Sequence, residues 1–265
     1  MHLENGPSDV HAGTVEAVSS GNGEFMARAV RSQAPSLASS VADTLRASII
    51  DGKFELGEAL SEDAVAEALG VSRTPVREAM RLLQLQGLVT VVPKSGTYVF
   101  QPTEDEIAEL CEFRATLEVR AASLSFERNR AATLVDLRAA IEDMDGARPS
   151  RDSQRYGKAD TCFHEAFFDN CGNRYLQNAY RMNLTRVAAL RTHLTFLSPT
   201  EPERSFSEHE HMAKIFDSGN AGDLEPLLEV HIMRTREMYL VALAQRTRAH
   251  SGSRADRMRH KLQAL

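Results

Sequence analysis

Ser72-Arg-Thr-Pro-Val-Arg-Glu-Ala-Met-Arg-Leu-Leu83 has the pattern of a short helix with two different faces. Val76, Ala79, Met80 and Leu83 recur at helical spacing and form one apolar stripe. Arg73, Arg77 and Arg81 follow one another at intervals of four, with Thr74 beside them, so guanidinium groups occupy the opposite surface. Ser72 stands where a hydroxyl caps a first turn, and Pro75 falls in that turn, where a missing N–H is tolerated. An apolar face holds such a helix to its domain. The arginine face is left to meet something planar and anionic, and DNA meets that description, because Arg pairs bidentately with guanine edges and with phosphates.

The flanking sequence extends the pattern. Upstream, Leu60-Ser-Glu-Asp-Ala-Val-Ala-Glu-Ala-Leu-Gly-Val71 reads as a helix capped by Ser61 and ended by Gly70 in a left-handed conformation. Leu37 to Asp51 is a further helix, with Val41, Leu45, Ile49 and Ile50 on one side. Downstream, Leu88-Val-Thr-Val-Val92 and Thr97-Tyr-Val-Phe100 are β-rich runs around Pro93-Lys-Ser-Gly96, which predicts a hairpin with Lys94 at its tip. Helix, glycine turn, arginine-bearing helix and hairpin together make a winged helix-turn-helix.

Val71-Ser-Arg-Thr-Pro-Val-Arg-Glu-Ala-Met-Arg-Leu-Leu83, followed by Gly87-Leu88 and Lys94-Ser-Gly96-Thr97, resembles the DNA-binding domain of GntR-family bacterial repressors over residues 36–102. The resemblance implies that Ser72, Arg73, Thr74, Arg77 and Arg81, with Lys94 and Gly96 of the wing, face double-stranded operator DNA. Arg73 and Arg77 are the expected base readers. The chain departs from the pattern at Asp63, where some members carry an arginine for a phosphate or base contact; a carboxylate cannot replace it.

Charge sharpens this reading. The chain has a formal net charge of −6. Residues 36–102 hold six Lys/Arg and eight Asp/Glu, a net of −2, so DNA affinity has to come from a local positive face. One copy would bind weakly, and a homodimer reading two half-sites is expected. Cys111, Cys162 and Cys171 show no paired or CxxC pattern, which points to a reducing compartment. No signal-peptide pattern opens the chain, and no apolar run approaches ~20 residues, so a cytoplasmic protein without membrane spans is expected.

Residues 1–35 lack periodicity and read as an N-terminal extension. Thr103 followed by Glu106 is a capping box that opens a second domain over 103–246. Its helices are expected over 103–128, 133–147, 153–171, 173–197, from a second capping box at Thr200 and Glu203 to Gly219, and over 223–246. This makes a mainly α chain: a winged helix-turn-helix with a small hairpin, then an antiparallel all-helical bundle. Residues 247–265 read as a frayed basic tail.

The bundle carries polar residues that a plain core does not need. Asp160 and His164 are four apart on one helix face, and His209 and His231 lie amid apolar neighbours on two later helices. One carboxylate and three imidazoles suit a divalent transition metal such as zinc, with nickel or manganese as alternatives. This region resembles the FCD ligand-binding domain of the FadR subfamily, whose pattern is Asp-x-x-x-His, a Glu-His pair, and a last His. Asp160-Thr-Cys-Phe-His164 matches the first element. Glu208-His209 and Glu210-His211 both match the second, and spacing selects His209, because Met212, Ile215 and Phe216 then fall inward whereas His211 would turn Lys214 inward. Cys162 is expected to pack rather than ligate. Arg114, four residues before Glu118, also resembles this domain; it either clamps an effector carboxylate or pairs with Glu118. The expected function is a ligand-responsive repressor binding a metal and a small carboxylate effector. The alternatives are a metal sensor without organic effector, a metal-dependent hydrolase, and a metal-free core.

Overall fold

The computed structural model describes residues 36–197 and 200–263, with side chains as far as Arg246 apart from Glu201. The expected N-terminal extension lies outside them. The chain is mainly helical, with a small antiparallel sheet after the first three helices.

Helix α1 (Leu37–Ile50) buries Val41, Leu45 and Ile49. Ser61 Oγ accepts from Ala64 N–H at the head of α2 (Glu62–Leu69), and Gly70, at φ 64°, ends it in the left-handed conformation. Helix α3 (Arg73–Leu85) buries Val76, Ala79, Met80 and Leu83, the stripe read from the sequence, and packs on α1. Ser72, however, makes no side-chain cap. An N-cap oxygen takes its bond from the second or third N–H of the helix, and the third residue here is Pro75, which has none. Strands β2 (Val89–Val92) and β3 (Gly96–Val99) form the hairpin, pairing Val89 with Val99 and Val92 with Gly96. A two-residue strand β1 (Ala59–Leu60), too short to leave a sequence pattern, pairs with the other edge of β3.

Helix α4 opens on the expected capping box. Thr103 Oγ1 accepts from Glu106 N–H at 3.1 Å, and Thr103 N–H donates to Glu106 Oε2 at 2.8 Å. The two helices expected over 103–147 are one span, Glu104–Ala147, kinked at Asn129 (φ −141°, ψ 40°). The kink falls in the predicted break, and Asn129 Nδ2 donates from it to the Asn170 carbonyl at 2.7 Å. Helix α5 (Ser153–Asn170) lies along α4, followed by α6 (Arg174–Leu194) with a 3-10 turn at Thr195–Leu197, α7 (Glu201–Ser218) and α8 (Leu224–Gln263). The second predicted capping box is absent. Thr200 has helical rather than extended backbone (φ −106°, ψ −16°), and the Glu203 carboxylate pairs with Arg148. Helix α8 also runs past the expected end at residue 246. Nothing after Arg246 is a proline, and the Arg, Ala, Met and Lys there are good helix formers.

Gly157 sets the distance between α5 and α6. A Cβ there would stand 2.6 Å from Thr192 Oγ1 and 3.0 Å from the Thr192 Cα and N. Gly157→Ala is expected to destabilise the fold by about 1–3 kcal/mol, because α6 backbone rather than a flexible side chain must give way. Chemical denaturation measures this, and an unchanged midpoint would show that the two helices can separate freely.

Candidate metal centre and nucleic-acid interface

The structure brings three of the sequence-selected imidazoles together. His164 projects from α5, His209 from α7 and His231 from α8; all are buried, with one ligand nitrogen from each within 4.8 Å of the others. Asp160, one turn before His164, places Oδ1 3.4 Å from His209 Nε2. His211, two residues beyond His209 and therefore on another face of α7, is exposed, as is Cys162, which was expected to pack.

These donors fit a transition metal. Burial pushes the His164 imidazole down to about 3 and His209 well below its ordinary value, so both are neutral and carry lone pairs. Neither ring nitrogen of His164 or His209 has a directed hydrogen-bond partner. Buried polar atoms are seldom left that way without a ligand or ion to satisfy them. His231 Nδ1–H donates to Glu208 Oε2 at 2.7 Å, which leaves the Nε2 lone pair facing the cluster. A carboxylate behind a ligating imidazole is the usual outer support of a metal-binding histidine. Tetrahedral nitrogens around zinc stand about 3.4 Å apart, so the imidazoles close by a small torsional adjustment.

Behind the imidazoles lies a charged layer that the sequence showed only in part. Arg114 Nε donates to Glu118 Oε1 at 2.8 Å, and both side chains are buried. Glu118 Oε2 also lies 2.6 Å from His164 Nδ1, but off the line of a good hydrogen bond. Burial pushes the Glu118 carboxyl up, but Arg114, His164 and Arg191 together outweigh it and hold the carboxyl well below the usual carboxylate range. Asp160 Oδ2 pairs with Nε of the buried Arg191. The Arg114 alternatives therefore resolve into one observed contact, the Glu118 pair, with Nη1 left over and unpartnered. Glu118, Arg191 and Glu208 were not selected from the sequence. Glu118 and Glu208 were visible as neighbours of named residues. Arg191 gave no signal, because its partner is 31 residues away on another helix. Arg114, Asp160, His164, Arg191 and His231 line a cavity of about 10 Å³, room for roughly one water.

On the winged domain, Ser72, Arg73, Thr74, Arg77 and Arg81 are all exposed on α3. Lys94 sits at the hairpin tip with φ 63°, and Gly96 begins β3. Two of the arginines are engaged at home. Arg77 Nη2 donates to Glu62 Oε2 at 3.0 Å, and Arg73 pairs with Asp63. Both pairs are solvent-exposed and therefore contribute little to stability, so DNA phosphates and base edges can displace the carboxylates.

A family model for bacterial regulatory proteins of the gntR family matches residues 37–99, and a model for the FCD domain matches residues 109–234. The chain belongs to the GntR family. Within that family it is 28% identical over 210 residues to the HTH-type transcriptional regulator LutR of Bacillus subtilis (strain 168), covering 72% of this chain and 95% of the relative. It is 31% identical over 137 residues to the gluconate operon transcriptional repressor of the same organism, covering 52% of this chain and 56% of that one. Among solved structures, a putative GntR transcriptional regulator from Rhodococcus sp. RHA1 superposes with a TM-score of 0.68 at 25% identity, covering 77% of this chain and 98% of the other. This GntR protein is a DNA-binding transcriptional regulator and not an enzyme. No described helix is long and apolar enough to cross a membrane.

Proposed function

We propose that this GntR regulator is a repressor whose helical domain holds a divalent metal, zinc in the first instance, on Asp160, His164, His209 and His231, and that a small organic acid binds beside it as effector. The carrying observation is the buried cluster of His164, His209 and His231, in which the ring nitrogens of His164 and His209 have no hydrogen-bond partner. Charge balance supports an acidic effector. Arg114 and Arg191 are matched by Glu118 and Asp160, and imidazoles bind a metal in their neutral form, so a dication leaves the buried site with two surplus positive charges. Carboxylate oxygens supply the missing negative charge and occupy open metal positions. The gluconate repressor among its relatives is named for an organic-acid operon, which favours both the repressor sense and the effector class. In a homodimer, two α3 helices would enter successive major grooves of a palindromic operator, with Arg73 and Arg77 reading bases and Lys94 holding phosphate.

The test is a screen of small carboxylic acids for release of operator DNA, each with zinc and with a chelator. Release that requires both acid and metal supports the proposal. Release by acid that persists after chelation overturns the metal role, and a response to zinc alone identifies a metal sensor. Arg77→Ala is expected to lower operator affinity about tenfold to a hundredfold and to relax base choice at one position per half-site. Fluorescence anisotropy with operator and scrambled duplexes measures it. Equal loss on both duplexes would place Arg77 on phosphate instead.

A further inference from the structure

Arg191 lies on α6 and pairs with Asp160. Its guanidinium is buried and used on two sides: Nε meets Asp160 Oδ2, and Nη1 donates to Thr161 Oγ1 at 3.3 Å. Nη2 is buried and makes no well-directed hydrogen bond, although the buried Tyr180 hydroxyl, itself without a well-directed partner, lies close to the guanidinium. Arg114 Nη1 also makes no well-directed hydrogen bond, and both arginines line the same small cavity beside His164 and His231. Two half-used guanidinium groups facing one space form a receptor for an acceptor with two oxygens. Leaving them unmatched is unfavourable, so a ligand that supplies both oxygens gains more there than in water.

The same helix reaches the DNA-binding domain. Five residues before Arg191, Arg186 Nε donates to the Gly87 carbonyl at 3.2 Å, and its guanidinium lies over Gly87, in the turn that joins α3 to β2. Two residues after Arg191, His193 Nε2–H donates to the Ile49 carbonyl at the end of α1, at 2.9 Å. Arg186 and Leu190 also border a cavity of about 250 Å³ between α6 and the winged domain, lined on the other side by Gly87, Val89 and Phe100. That seam combines packing of α6 on α1, a few directed bonds and this partly open cavity, which leaves room for a shift.

We propose that Arg191 is a second effector-carboxylate ligand, acting with Arg114, and that α6 transmits its engagement to the winged domain through Arg186–Gly87 and His193–Ile49. The inference rests on the metal-and-acid reading above and adds the receiving atoms and the transmitting helix. The 10 Å³ cavity admits no organic acid as it stands. Entry of the ligand therefore requires the lining to move, and a movement of Arg191 that carries α6 with it pulls on the two contacts to the DNA-binding domain.

The experiment uses the full-length, zinc-loaded protein with citrate as the carboxylate probe, followed by calorimetry and by amide hydrogen exchange. Arg191→Gln at saturating zinc is expected to bind citrate at least tenfold more weakly, with Arg191→Lys in between, while one zinc remains bound. In the wild type, citrate is expected to change exchange in the segments around Ile49 and Gly87. Arg186→Ala, which leaves the site untouched, is expected to bind citrate normally and to lose the change around Gly87. Wild-type citrate affinity in Arg191→Gln, or exchange changes confined to the helical domain, overturns the proposal. Zinc uptake with no citrate binding by the wild type overturns the carboxylate reading beneath it, and failure to bind zinc overturns the metal reading itself.

Discussion

Glu118→Gln is expected to destabilise the protein by about 3–5 kcal/mol, the largest single-residue loss of stability anticipated for this chain. Glu118 is fully buried and faces two groups at once, the Arg114 guanidinium at 2.8 Å and His164 Nδ1 at 2.6 Å. Neutralising it leaves a buried guanidinium without a counter-charge in a site with room for roughly one water. The loss belongs to the unmatched charge and not to the pair as such, which a second variant separates. Arg114→Met with Glu118→Met removes both charges and is expected to be less damaging than Glu118→Gln alone. Urea denaturation of the two variants decides the matter; a double variant worse than the single would mean that the pair itself stabilises the bundle.

The second large effect concerns metal. His164→Ala is expected to weaken zinc binding more than about 100-fold, since even an outer support of a metal ligand commonly accounts for 10–100-fold. His209→Ala should match it. His211→Ala should change nothing, because that ring is exposed on another face of α7. Glu208→Gln removes only the carboxylate behind His231 and falls in the outer range. Competition with a chromophoric chelator measures all four. Equal zinc affinity in the His164 and His211 variants would disperse the proposed centre. DNA binding by His164→Ala without effector should be preserved, because α3 and the wing lie on the other domain.

Much of this architecture is written locally. The α3 stripe, Gly70 at the end of α2, the Thr103–Glu106 capping box and the hairpin around Lys94 depend on residues within a few positions of each other. Periodicity and turn chemistry therefore reveal them. His209 could be chosen over His211 for the same reason: Lys214 cannot point inward, and helix spacing ties it to His211. The failed expectations also have local causes, but these act through three-dimensional detail. Pro75 removes one of the two N–H groups that Ser72 could cap, and Thr200 takes helical backbone and makes no capping bond.

The sequence by itself determined a winged helix-turn-helix joined to a helical bundle, and it named the residues proposed here to meet DNA and metal. Only the tertiary structure decided what stands behind them. It put Glu118 between Arg114 and His164, Arg191 against Asp160, Glu208 behind His231, and Asp63 and Glu62 on the reading arginines. Most of these pairings join different helices, at separations where no periodicity links the partners. The buried ones form because a charge removed from water must find its opposite wherever the packing of helices happens to bring one.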